Sequence, residues 1–215
     1  MKNSQPYIVF GPVPSRRLGK SLGINNIPPK ICSYSCIYCQ LGKTLKMEAQ
    51  RSLFYDSQEV VTAVKETVAR LQKKNEIIDY LSFVPDGEPT LDLELGEKIR
   101  QLKPSQIKIA VISNSSLISQ REVKNDLKLA DWVSLKIDAL TPTIYHRVDR
   151  PHRLLELNDI LEGIEVFSRE FQGDLNIETM LVRDINDQEE ELHKIARFVS
   201  RLNVQKCYIS IPTRP

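Results

Sequence analysis

Nowhere in its 215 residues does the chain carry a run of eighteen apolar residues, the length a helix needs to cross a bilayer. Its opening stretch, MKNSQPYIVF, lacks the apolar centre of a secretory signal. These absences make a soluble, cytoplasmic protein the expectation, without a membrane partner. Cysteine is scarce at four residues, and so few thiols in an intracellular chain point to metal or redox chemistry rather than to a disulfide framework. Low-complexity tracts, long linkers and internal repeats are missing as well. A single domain over 1–215 follows, with 1–17 expected to be irregular because Gly11, Pro12 and Pro14 punctuate it.

Charge of one sign is not in excess overall, with 30 basic and 28 acidic residues. The distribution is uneven. Residues 1–51 hold eight cations against Glu48 alone, a net +7, which leaves −5 for the remainder. The segment with most of the cysteines is therefore the positive pole, suited to an anionic cluster, carboxylate or phosphate groups, or nucleic acid. A basic surface that is simply solvated fits the same count.

What is present is concentrated in Cys32-Ser-Tyr-Ser-Cys36-Ile-Tyr-Cys39. Three thiols at this spacing can close on one side of a metal centre when the loop is short and irregular. A zinc site normally takes four protein ligands, and a ferredoxin-type electron carrier takes a fourth thiolate; Cys207 is the one cysteine left. In a 4Fe-4S cluster, three thiolates would leave one iron open to a small molecule.

Around this loop, apolar runs alternate with amphipathic stretches. Strands are expected at Leu18 to Asn25, Ile77 to Val84, Ile107 to Ile112, Trp132 to Ile137, Leu175 to Val182 and Cys207 to Ile211. Helices are expected from Ser57, where Val60, Val61, Val64, Val68 and Leu71 recur at helical spacing, over Leu91 to Leu102, Ser119 to Leu127, Leu154 to Phe171 and Gln188 to Leu202. Alternation of this kind implies an α/β fold with a parallel sheet and right-handed crossovers. Six strands are too few for a closed eight-stranded barrel, so a partial (βα)6 TIM-like barrel is expected, with a doubly wound open sheet as the alternative.

In such folds the working residues sit where strands end. Ser113 and Asn114, at one exit, could bind ribose hydroxyls or a carboxylate, or could simply cap a helix. In the strand that begins at Trp132, alternation puts Ser134, Lys136 and Asp138 on one face. A lysine facing the interior needs a partner, either Asp138 or a ligand's carboxylate. The stretch from Tyr145 to Arg153, rich in cations and holding His146 and His152, is expected to overhang the mouth and contact substrate. Arg183 and Asn186 are weaker candidates of the same kind. His193 reads as a surface residue and Cys207 as a core residue.

The cysteine spacing with Tyr38 before the third thiol resembles the signature of the radical S-adenosylmethionine (radical SAM) superfamily. The resemblance implies a barrel of the radical SAM type and a 4Fe-4S cluster on Cys32, Cys36 and Cys39. It also implies that S-adenosylmethionine chelates the open iron and that Tyr38 lies against the adenine. Asp86-Gly87-Glu88 resembles the motif that holds the methionine amino group, with Asp86 where a first glycine is usual. Ser134 and Lys136 match side chains the superfamily uses at this level for the carboxylate. The implied reaction is reductive cleavage to a 5'-deoxyadenosyl radical that abstracts hydrogen from a substrate. It calls for an external one-electron donor of the flavodoxin or ferredoxin type. Phe10 to Asn25 together with Asp86 to Thr90 is similar to the branch related to the tRNA wyosine-base synthase. That synthase has further cysteines upstream for a second cluster, and none precedes Cys32 here. The substrate is left unidentified, with RNA or another anionic molecule open. An electron-transfer protein or a metal-stabilised nucleic-acid-binding module stays as an alternative.

Overall fold

Apolar runs closed by Gly, Pro, Asn or Asp set the strands, and amphipathic stretches set the helices between them. A computed structural model of the chain describes residues 8–212. Its elements are β1 (Val9–Ser15), β2 (Gly19–Ile24), β3 (Ile31–Cys32), β4 (Lys46–Met47), α1 (Ser57–Gln72), β5 (Tyr80–Phe83), α2 (Leu95–Leu102), β6 (Lys108–Ser113), α3 (Arg121–Leu127), β7 (Trp132–Lys136), α4 (Pro142–Val148), α5 (Leu157–Glu170), β8 (Asp174–Met180), α6 (Glu189–Val199) and β9 (Lys206–Ser210).

Seven strands form one sheet in the order β1-β2-β5-β6-β7-β8-β9. All neighbours from β2 onward are parallel, while β1 runs antiparallel to β2. Six parallel strands in sequence order make the partial barrel that the alternation predicts. β1 and β9 do not pair, so the barrel is open. The short β3 and β4 pair separately and carry the start of the cysteine loop.

The two faces of the sheet differ in chemistry. Leu81, Phe83, Ile109, Val111, Val133, Leu135, Leu175 and Ile177 are buried in one continuous core that also takes in the inward faces of the helices. In α1 that face is Val60, Val61, Val64, Val68 and Leu71, and the helix is started by Asp56, whose carboxylate accepts from the N–H groups of Gln58 and Glu59. Such a cap contributes about 1 kcal/mol, and each buried aliphatic side chain about 1.5–3 kcal/mol. Packing therefore dominates. The other, concave face alternates with it and is largely polar, carrying Ser82, Ser134, Lys136, Asn176 and Glu178 besides Ala110 and Trp132.

Four expectations need correction. Residues 9–15 are not irregular but form β1: Pro12 and Pro14 are tolerated because the strand lies at the sheet edge, and a bulge between Phe10 and Val13, with Gly11 at φ +93°, absorbs the break. Residues 1–7 of that segment lie outside the described residues. The connection from Asp138 to Pro151 contains α4, begun by Pro142 right after Thr141. The helix expected from Leu91 is split, with a 3-10 turn over Pro89–Leu91 before α2. Cys207 is exposed on β9 rather than in the core.

α2 hides an unexpected ion pair. Lys98 and Asp92 both have fully buried side chains, with Nζ 3.0 Å from Oδ2. Asn26 Nδ2 donates to the same carboxylate at 2.9 Å. Asp92→Ala, which leaves the buried Lys98 ammonium only the longer contact to Glu94 Oε2 at 3.6 Å, is expected to cost about 3–5 kcal/mol in denaturant unfolding. Lys103→Ala, which breaks the exposed pair with Asp131, should cost under about 1 kcal/mol by the same measurement. Equal losses for the two would contradict this reading.

Candidate cofactor site

The cysteine loop leaves β3 and is held from outside itself. The N–H groups of Ser35 and Ile37 donate to the carbonyls of Asp149 and Val148, and that of His152 donates to the Ser33 carbonyl at 2.8 Å. Thr44 Oγ1 donates to the Tyr34 carbonyl, and the Tyr145 hydroxyl meets that of Tyr34 at 3.0 Å. The segment from Tyr145 to Arg153 therefore packs along the loop instead of overhanging the mouth, with Tyr145 and Asp149 buried. Its conformational work is to shape the thiol loop.

The exits of β5 and β6 are fastened beneath that loop. A Cβ on Gly87 would stand 2.1 Å from the Ile31 carbonyl oxygen, so the glycine serves the close approach of two backbone segments. Lys30 N–H donates to the Asp86 carbonyl and Glu88 N–H to that of Ile31. The Glu88 side chain is buried and accepts four bonds, from Thr90 N–H, Thr90 Oγ1, Ser113 Oγ and Asn114 N–H, at 2.6–3.0 Å. Burial pushes its carboxyl above the usual range, against the pull of those donors. Of the groups that the Asp86-Gly87-Glu88 stretch could offer to a ligand, this carboxylate is committed inside the protein. Asn114 continues the chain of contacts, donating to Ser33 Oγ at 2.9 Å and to Cys32 Sγ at 3.5 Å. Neither Ser113 nor Asn114 caps a helix; α3 begins after Gln120.

At the exit of β7, Lys136 and Asp138 do not form an ion pair, one of the two partnerships expected for the lysine. Asp138 accepts instead from the Tyr38 hydroxyl and from Met180 N–H. Lys136 Nζ lies over the Tyr38 ring, 4.8 Å from its centroid. Burial disfavours its charge, but the carboxylates of Asp138 and Glu178 more than offset this and raise its pKa, so it is an ammonium. Asp149, missed by sequence reasoning, sits 3.5 Å from both Cys36 Sγ and the Tyr38 hydroxyl. Burial and then the Asp138 charge push its carboxyl well up. Asn186 is buried and braces two exits, donating to the carbonyls of Asp138 and Met180; it offers nothing to a substrate. Arg183 and His193 are exposed.

These elements border a cleft of about 370 Å³ at the carboxyl ends of the parallel strands. Cys32, Cys39, Tyr38, Gly87 and Lys136 line it, along with Lys30, Met180 and Ile211. Glu88, Ser113 and Asn114 support it from below, and Ser134 is buried on the concave face of β7. All three loop thiols are free. Burial, then Glu88, pushes the Cys32 thiol up to about 12, and burial with Asp149 raises Cys36. Among the described residues, no group of three Cys, His, Asp or Glu side chains is placed to hold a single metal ion. A 4Fe-4S cluster makes a different demand, one thiolate per iron around a larger body, and three thiols on one loop beside a cationic cleft fit it.

An open barrel of parallel strands with a three-thiol loop after its first parallel strand makes this an α/β protein of the partial-barrel class. The chain belongs to the radical SAM superfamily: the superfamily model matches residues 26–198. It is 48% identical over 97% of its length to a UPF0026 protein of Methanocaldococcus jannaschii, and spans 64% of that relative. The structure of TYW1 with a lysine-pyruvate adduct superposes with a TM-score of 0.67 at 18% identity, covering 90% of this chain and 65% of that one. SuiB of Streptococcus suis, solved bound to S-adenosylmethionine, superposes with a TM-score of 0.60 at 15% identity over 87% of this chain and 38% of its own. These structures share the fold. No described helix is long and apolar enough to cross a membrane.

Because Glu88 satisfies four buried donors, Glu88→Ala should lower stability by about 2–5 kcal/mol and reduce the iron retained after anaerobic reconstitution. Glu88→Gln, which keeps one acceptor, should fall between it and wild type. Unchanged melting and iron content in Glu88→Ala would show that the carboxylate holds nothing together.

Proposed function

We propose that this chain is a radical SAM enzyme that holds a 4Fe-4S cluster through Cys32, Cys36 and Cys39 and cleaves S-adenosylmethionine reductively to act on a substrate still to be found. The observation that carries this reading is the meeting, at one cleft at the strand ends, of two thiols of a three-thiol loop, Cys32 and Cys39, with the Lys136 ammonium and the Tyr38 ring. When bound, the cluster supplies one electron to S-adenosylmethionine, whose sulfur–carbon bond breaks to give methionine and a 5'-deoxyadenosyl radical that takes a hydrogen atom from the substrate.

The chain's own residues bind and orient. Lys136 presents its ammonium to the methionine carboxylate. The Gly87 carbonyl, which meets no donor among the described residues, accepts from the methionine ammonium. Tyr38, anchored through its hydroxyl to Asp138, offers a fixed ring to the adenine. Met180 and Ile211 add apolar surface to the cleft wall. Glu88, Ser113 and Asn114 act one layer back, by holding Cys32 and Ser33 in place. An external flavodoxin or ferredoxin supplies the electron. The substrate is an anionic molecule, RNA included: exposed Lys43 flanks the thiol loop, and exposed Arg147 and Arg150 flank the segment packed against it.

Protein reconstituted with iron and sulfide, given dithionite and S-adenosylmethionine without oxygen, is expected to form 5'-deoxyadenosine, and Cys36→Ala is expected to form none. A fully loaded wild type that yields no product would overturn the enzyme reading in favour of an electron-transfer protein.

A further inference from the structure

Lys136 and Glu178 are register partners on the neighbouring parallel strands β7 and β8. Opposite charges placed side by side on one face of a sheet ordinarily pair. These two do not: among the described residues, no carboxylate oxygen lies within 4.0 Å of Lys136 Nζ. Glu178 is held elsewhere. Its Oε1 accepts from Arg17 Nη2 at 2.9 Å and from Ser210 Oγ at 2.7 Å. The Arg17 guanidinium also donates to Ser210 Oγ at 3.2 Å and lies 4.1 Å from the centroid of the Tyr208 ring. Arg17 comes from the turn between β1 and β2, where Ser15 Oγ accepts from the N–H groups of Arg17 and Leu18. It thus reaches from one edge of the open sheet to the two strands at the other.

We propose that Arg17 is a positioning residue that captures Glu178 and so keeps Lys136 free to take the carboxylate of the cofactor's amino-acid end. The inference rests on the cofactor reading given above. Two further carboxylates act on Lys136: Asp138, engaged by Tyr38 and by Met180 N–H, and Asp149, which lies 3.5 Å from both Cys36 Sγ and the Tyr38 hydroxyl. The three carboxylates thus favour the lysine's charge while none of them occupies it. Without Arg17, Glu178 has only Ser210 as a partner, and the adjacent ammonium becomes its best one. The lysine would then be lost to the ligand.

The test uses reconstituted protein and equilibrium dialysis against two ligands: S-adenosylmethionine, and 5'-methylthioadenosine, which has the nucleoside but no amino-acid end. Arg17→Met is expected to weaken S-adenosylmethionine binding about tenfold, the equivalent of one charge-assisted contact, and to leave methylthioadenosine unchanged. The double variant Arg17→Met/Glu178→Gln has no carboxylate to swing across, and is expected to bind S-adenosylmethionine as wild type does. Failure of that rescue, or equal weakening for both ligands, would reduce Arg17 to a structural role and overturn the inference. So would unaltered binding by Arg17→Met while Lys136→Met binds poorly. If Lys136→Met itself binds normally, the fault lies in the cofactor reading of Lys136.

Discussion

The buried carboxylate of Glu88 is the constraint on which the site depends. Three separate exits of the sheet must meet to make one cleft: the loop after β2, the turn after β5 and the turn after β6. Glu88 belongs to the second, binds Ser113 and Asn114 of the third, and through Asn114 reaches Ser33 and Cys32 of the first. Gly87 beside it permits the backbone of Ile31 to approach. A carboxylate buried without donors costs several kcal/mol, whereas one with four is tolerable and leaves its partners no alternative geometry. The thiol loop is irregular, yet its position is fixed from below.

A second layer of the design concerns charge. The concave face carries carboxylates in Glu178 and Asp138 and cations in Arg17 and Lys136. Each carboxylate is engaged with a donor other than the lysine facing the cleft. An interior ammonium left unpaired is unfavourable by itself. Here the nearby negative field and the face of Tyr38 lessen that cost. The cleft accordingly combines the Lys136 ammonium with a second lysine, Lys30, two thiols of the loop and apolar side chains, which suits a zwitterionic ligand with a large nucleoside.

Much of this was legible in the sequence because the signals are local. Val60 to Leu71 repeats at helical spacing, the apolar runs are bounded by turn residues, and the thiol spacing resembles the superfamily's signature. The partial barrel, its six parallel strands and the gathering of Cys32, Tyr38, Gly87 and Lys136 at one end follow from those signals. The errors have a common cause in non-local contacts. Residues 9–15 read as broken until a neighbouring strand supplies the partners that a bulged edge needs. Glu88 looks available to a ligand until Ser113 and Asn114, 25 and 26 residues on, arrive to bind it. Asp149 and Arg17 carry no local sign of their roles, because their partners Cys36 and Glu178 lie 113 and 161 residues away. From Tyr145 to Arg153 the sequence displays cations, but does not show that the carbonyls and hydroxyl of that segment are what the thiol loop uses.

The central claim is that three thiols of one loop hold a cluster with an iron left open to S-adenosylmethionine. Electron paramagnetic resonance of the dithionite-reduced, reconstituted chain tests it most directly. A 4Fe-4S signal whose shape and position change when S-adenosylmethionine is added is the predicted result. A signal indifferent to S-adenosylmethionine, or one that persists unaltered when Cys36 is replaced by alanine, would contradict it.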